Sequence, residues 1–318
     1  MRDLIEKEIE DILTYGCSAH LLNLLAHDME IPNVTKHVLQ IVKYFRNNHH
    51  ASARYRAEGG KCLIMPQEVR WNTMNDCCDA YLESWHILLK ICDTDREKID
   101  LNIRNKVSNI GLKHNVEDLV ARLKPIAAAL DKMQSDTCHI GDAVHIWKDL
   151  KDHLPNQRDI MKKYGERYNQ AITPAHLLAY LLHPSHRGAL LSDAEKNTAY
   201  EYAAEKPGKA STVTQFEAKA PPFSTSKFLN EVTSRVSPLV WFMSHGDSLP
   251  EEFLNLVKQL FTAVASSAGV ERIFSSFGLV HSKLRNRLGT EKAAKLVFLY
   301  KAMNQDRKAT NHIRLGID

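Results

Sequence analysis

The chain has 318 residues, 44% of them hydrophobic and 25% charged, with a formal net charge of +4. That is enough for one large domain or two to three small ones. No apolar run reaches the ~18 residues a membrane span needs, and the charged, amphipathic start "MRDLIEKEIEDIL" fits neither a signal peptide nor a transit sequence.

A helix predicted almost from Met1 suggests the rear part of a longer protein. Helical spacing follows in "LLNLLAHDM" and "VTKHVLQIVKYF", where apolar residues recur three and four apart. "RNNHHASARYRAEGG" breaks that pattern and ends in Gly59-Gly60, a stop signal. "KCLIMP", Lys61 to Pro66, is short, apolar and closed by proline, which predicts a strand. Helical patterns resume through "CCDAYLESWHILLKIC" and continue over 99–111, 116–134, 142–154, 158–168, 174–182 and 193–204. Thr173 before Pro174 reads as an N-cap with proline at the first helical position. "EKPGKASTVTQFEAKAPPFST" has the composition of a linker. Helices again follow, through "PEEFLNLVKQLFTAVA" and "AGVERIFSSFG" to "TEKAAKLVFLYKAMN". One strand among many helices means either an all-α protein or the last strand of a larger sheet.

The six cysteines, Cys17, Cys62, Cys77, Cys78, Cys92 and Cys138, show no repeating spacing and read as reduced thiols of an intracellular protein. Cys17 and His20 have C-x-x-H spacing, but a zinc site needs a second close pair, so no metal is assigned. His20 then caps or anchors its helix. Glu271 sits about 100° from Val270, at the edge of a stripe of Val270, Phe274, Phe277 and Leu284 expected to face a core. A half-shielded carboxylate there suits a metal ligand, and equally an ion pair with Arg272 or Lys283. Trp71, beside Arg70, could stack on a base or anchor a domain boundary. Lys283, Arg285 and Arg287 open a basic stretch that reads as a phosphate contact or a solvated helix face. The small positive net charge permits a polyanionic partner without requiring one. Leu296, Phe298, Leu299 and Met303 make an apolar stripe that must pack on its own core or on a partner subunit. No glycine-rich phosphate loop, G-x-S-x-G elbow or H-E-x-x-H motif is present.

From Pro238 to Asn304 the sequence resembles the C-terminal dimerisation region of hAT-family transposases. The residues that carry this are Trp241, Glu271-Arg272, Phe274-Ser275, Gly278, the run Arg285 to Leu288, and Leu296 to Asn304. Upstream, "CSAH", "VRWN" and "HLLAYLLHP" are similar to further family motifs. The resemblance implies a mainly α fold with very little strand: the C-terminal part of an RNase H-like domain interrupted by a large all-α insertion. Residues 1–71 would be a partial RNase H-like segment of helices and the last strand, and 72–236 the all-α insertion. Residues 237–318 would be the dimerisation region that completes the RNase H-like domain.

By the same resemblance, Glu271 matches the third acid of the family's Asp-Asp-Glu triad, which gathers two magnesium ions for phosphodiester transfer. Trp71 matches an aromatic that stacks on a flipped base, and His20 a histidine near the catalytic centre. The family's two aspartates lie on strands before the C-x-x-H helix, whereas Asp3 and Asp11 fall in an amphipathic helix. The expectation is therefore a transposase-derived, nuclear protein without catalysis, in which Glu271 is a remnant. It would need no cofactor, with magnesium relevant only in an active transposase context. It would form a homo-oligomer, dimer or higher, through Trp241, Val270, Phe274, Phe277, Leu296 and Leu299. DNA is a further partner, through Trp71, Arg70, His20, Lys283, Arg285 and Arg287; no membrane is involved. The alternatives are a fragment of an active transposase and a non-catalytic nucleic-acid-binding module.

Overall fold

The computed structural model describes residues 2–9, 12–66, 73–205, 209–280, 289, 291–292, 294–299 and 302. The helices, in chain order, begin with α1 (Arg2–Glu8), α2 (Ser18–Asp28), α3 (Val34–Asn47), α4 (His49–Ala57), α5 (Thr73–Thr94) and α6 (Leu101–Val107). They continue with α7 (Ile110–Met133), α8 (Ile140–His153), α9 (Arg158–Ala171), α10 (Pro174–Leu181) and α11 (Asp193–Ala204). The last are α12 (Lys209–Ala218), α13 (Asn230–Thr233), α14 (Pro238–Met243), α15 (Glu251–Thr262) and α16 (Ala268–Val280). The protein is mainly helical, as its periodicity predicts.

The chain divides into two compact units, 1–265 and 266–318. In the first unit, one core is built from α2 to α9. Helix α3 shows how sequence makes it: Val34, Val38, Ile41, Val42 and Phe45 recur at helical spacing and are all buried. Asp100 caps α6 by accepting from the amides of Asn102 at 2.9 Å and Ile103 at 3.2 Å. Arg167 on α9 donates from Nε to Asp28 at 2.6 Å, tying that helix to the end of α2.

The second core of this unit gathers α10, α11, α12, α14 and α15. Helix α10 is buried on every side from Ala175 to Leu181, as befits a helix inside a core. It starts at Pro174, as predicted, and the Thr173 hydroxyl donates to His176 Nδ1 at 2.8 Å. Segment 263–265 runs between the cores. Ile140 N–H donates to Ala263 O at 3.0 Å, Ala265 N–H to Cys138 O at 2.9 Å, and Ser18 N–H to Ala265 O at 3.0 Å. The His139–Val264 bridge there is the only β pairing among the described residues.

Three expectations are corrected. Lys61 to Pro66 is not a strand. A strand exists only with a ladder partner, and this segment instead buries Leu63, whose carbonyl accepts from Arg46 at 2.8 Å. Residues 49–57, read as a break, form α4. Asn48 caps it, accepting from Ala51 N–H at 3.0 Å, and its inward face is Ala51 and Tyr55 alone, too sparse to read as a period. The expected linker contains α12, whose Val213 and Phe216 are fully buried.

All six cysteines are free thiols. Burial pushes the Cys78 and Cys138 thiols up to about 12, so neither is a nucleophile near neutrality. No helix among the described residues is long and apolar enough to cross a membrane.

Candidate self-association surface

In the second unit, the Ala268 amide donates to Ser266 Oγ at 3.0 Å as α16 begins, and Ser267 Oγ donates to Glu271 Oε1 at 2.7 Å, one turn on. The stripe expected to face a core is largely uncovered in this chain. Val270 and Ile273 are exposed, Phe274 is 69% exposed, and Phe277 is half-buried. Residues 294–299 are also helical. They expose Leu296, Leu299 and Phe298, the last at 74%, while Val297 is buried. Each large apolar side chain taken out of water contributes roughly 1.5–3 kcal/mol. Exposed aromatics and aliphatics clustered on short helices are what a protein partner covers.

Within the first unit, Leu229, Val232, Val240 and Met243 are likewise exposed on and around α13 and α14. Trp241, on the same short helix, is not part of that surface. It is 2% exposed, its Nε1–H donates to Lys227 O at 2.9 Å, and its ring stacks on Phe223 with centroids 5.9 Å apart. Phe216, Phe228, Phe242 and His245 complete the cluster. Expected as an interface residue, Trp241 is a core residue; a ring enclosed by its own chain offers nothing to a partner.

Glu271 is exposed on α16, and among the described residues it belongs to no group of three metal-ligating side chains. His20 is exposed on α2, and Cys17 is its half-buried N-cap. Arg70, Trp71, Lys283, Arg285 and Arg287 lie outside the described residues.

One constellation was not singled out from sequence. Asp142, His183 and His186 converge, with His139 and His145 beside them. Burial, then the neighbouring imidazoles of His186, His139 and His145, holds His183 down at about 3, so its ring is neutral at pH 7. The signal was available: "LLHPSHRG" carries an H-x-x-H pair just after an apolar helix.

Residues 220–303 match the hAT family C-terminal dimerisation region. No curated protein matches the chain.

Proposed function

We propose, on the premise that this is an hAT-family, transposon-derived chain carrying the family's C-terminal dimerisation region at residues 220–303, that its function is self-association without catalysis of its own. The observation that carries this reading is the uncovered apolar face of Val270, Ile273 and Phe274, with Leu296, Phe298 and Leu299, inside that region. Such a face is costly to leave in water, and a second copy of the same chain is the partner that the region's family supplies. Among the described residues Glu271 belongs to no group of three metal-ligating side chains, and an exposed carboxylate without such company binds magnesium weakly.

The fold reading that goes with this proposal is the C-terminal part of an RNase H-like domain interrupted by an all-α insertion, with the boundaries at 71 and 236 given above. Contact with DNA through the basic run at Lys283, Arg285 and Arg287, and the nuclear setting that goes with it, belong to the same proposal. Their motive is charge density, and their mark would be an affinity that falls steeply with salt.

Light scattering coupled to size-exclusion chromatography tests the main reading. The full chain at micromolar concentration should elute with the mass of a dimer or a higher closed oligomer. A strict monomer across that range would overturn it.

A further inference from the structure

We propose that Asp142, His183 and His186 form a zinc site that clips the turn after α10 onto the start of α8. One ligand atom from each of the three side chains lies within 4.8 Å of the other two. Asp142 Oδ1 and His183 Nε2 are 3.8 Å apart, too far for a hydrogen bond. Tetrahedral zinc with bonds of about 2.0–2.1 Å keeps its ligand atoms about 3.3 Å apart, so the Asp142–His183 pair needs to close by about half an ångström and no pair by more than about 1.5 Å. The His183 and His186 rings have centroids 4.2 Å apart. Two imidazoles and a carboxylate are the donor set zinc takes in this kind of shell.

The surroundings fix these side chains as an outer shell would. Asp142 Oδ2 accepts from the His139 amide at 2.9 Å, which leaves Oδ1 to face inward. The turn carrying the histidines is closed by Arg187 N–H to His183 O at 2.8 Å and Gly188 N–H to Tyr180 O at 3.2 Å. His139 Nδ1 is buried with no hydrogen-bond partner, beside the cluster. The fourth position is left to a water: the His145 ring stacks nearly parallel on His186 with centroids 4.6 Å apart, so it packs against a ligand and does not point at the same metal. His145 Nδ1 faces the Tyr180 hydroxyl at 3.4 Å, which helps hold that ring against His186.

Binding has one identifiable cost. The Ser185 amide donates to His183 Nδ1 at 3.2 Å, so the neutral ring now carries its proton on Nε2. A metal on Nε2 requires the proton on Nδ1, and the Ser185 amide must turn to water. Ser185 is exposed, so water is at hand.

The test uses the full chain, purified, chelated and dialysed against zinc or cobalt(II). Wild-type protein should hold one more equivalent of tightly bound metal than His183→Gln/His186→Gln. Its cobalt form should show the intense visible absorption of a four-coordinate centre, and the double variant should lack it. His153→Gln, an exposed histidine outside the cluster, should behave as wild type. Equal metal content in wild type and double variant, or only the weak absorption of six-coordinate cobalt, overturns the site. Should the double variant fail to fold, wild type alone decides: a chelated sample whose melting temperature does not rise with one equivalent of zinc also overturns it.

Discussion

The Tyr168 hydroxyl donates to Glu195 Oε1 at 2.6 Å, and the Lys148 ammonium reaches both oxygens of the same carboxylate at 2.7 Å. Tyr168 and Lys148 come from α9 and α8, Glu195 from α11, so the group ties helices of the first unit's two cores together. Burial pushes the Glu195 carboxyl up, but Lys148, Tyr168 and the Ser192 amide and hydroxyl outweigh it and hold it down at about 2.

The sign of the pH dependence follows. A carboxyl depressed from 4.5 to about 2 in the folded state contributes stability above its unfolded value and loses it as pH falls toward 2. At about 1.36 kcal/mol per pH unit, that is on the order of 3 kcal/mol at neutrality. Glu195→Gln should therefore melt lower than wild type at pH 7, with the gap closing between about pH 4.5 and 2. Thermal melts across that range, read by circular dichroism, would show it. A gap that stays constant with pH would mean the carboxylate's charge contributes nothing.

Phe274→Glu should break self-association without loosening the fold. At 69% exposure the side chain supports little within its own chain, whereas a carboxylate buried in an interface without a partner costs several kcal/mol. The expected outcome is a shift to monomer mass with a helical spectrum like wild type. Phe298→Glu, at 74% exposure, should do the same if both residues serve one surface. A variant that remains an oligomer would remove its residue from the interface.

Trp241→Phe should behave in the opposite way. The phenyl ring keeps most of the packing, but Lys227 O loses its donor inside the aromatic cluster. A loss of about 1–3 kcal/mol in urea unfolding is expected, with the oligomeric mass unchanged. Loss of association with unaltered stability would show that the ring serves an interface after all.

Glu271→Gln is the quiet substitution. Its carboxylate accepts a hydrogen bond from Ser267, the exposed residue just before the helix. A stability change within about 0.5 kcal/mol is expected, with association unaltered and no magnesium-dependent difference in melting temperature between the two proteins. A magnesium-dependent stabilisation of wild type that Glu271→Gln abolishes would count against a remnant role.

These contrasts show what the sequence carried. Long, regular helices such as α3, α7 and α15 announce themselves, because their inward residues recur over several turns. Helix α4 does not, since Ala51 and Tyr55 are its whole inward face. Trp241 was legible as important, but its place was not. Two of the rings that enclose it, Phe216 and Phe223, come from a segment whose Pro, Ser, Thr and Lys content reads as linker. Two large rings outweigh that composition once they find a core. The histidine cluster is a tertiary feature: Asp142 and the His183–His186 turn meet only because α8 and α10 pack together.

The two glycines after α4 are needed for different reasons. Gly59 has φ +78°, the left-handed conformation that closes the helix. Gly59→Ala meets no neighbouring atom and should cost only the backbone penalty, about 1–2 kcal/mol. Gly60 has ordinary φ, but a Cβ there would overlap the Tyr55 ring. That ring cannot swing aside cheaply: it is buried, and its hydroxyl lies 2.6 Å from Ser84 Oγ in a hydrogen bond to α5. Gly60→Ala should therefore cost about 1–3 kcal/mol through overpacking. Pairing it with Tyr55→Leu, which removes the clashing atoms, should recover part of that loss in a double-mutant cycle. Simple additivity of the two substitutions would mean that the glycine answers to the backbone alone.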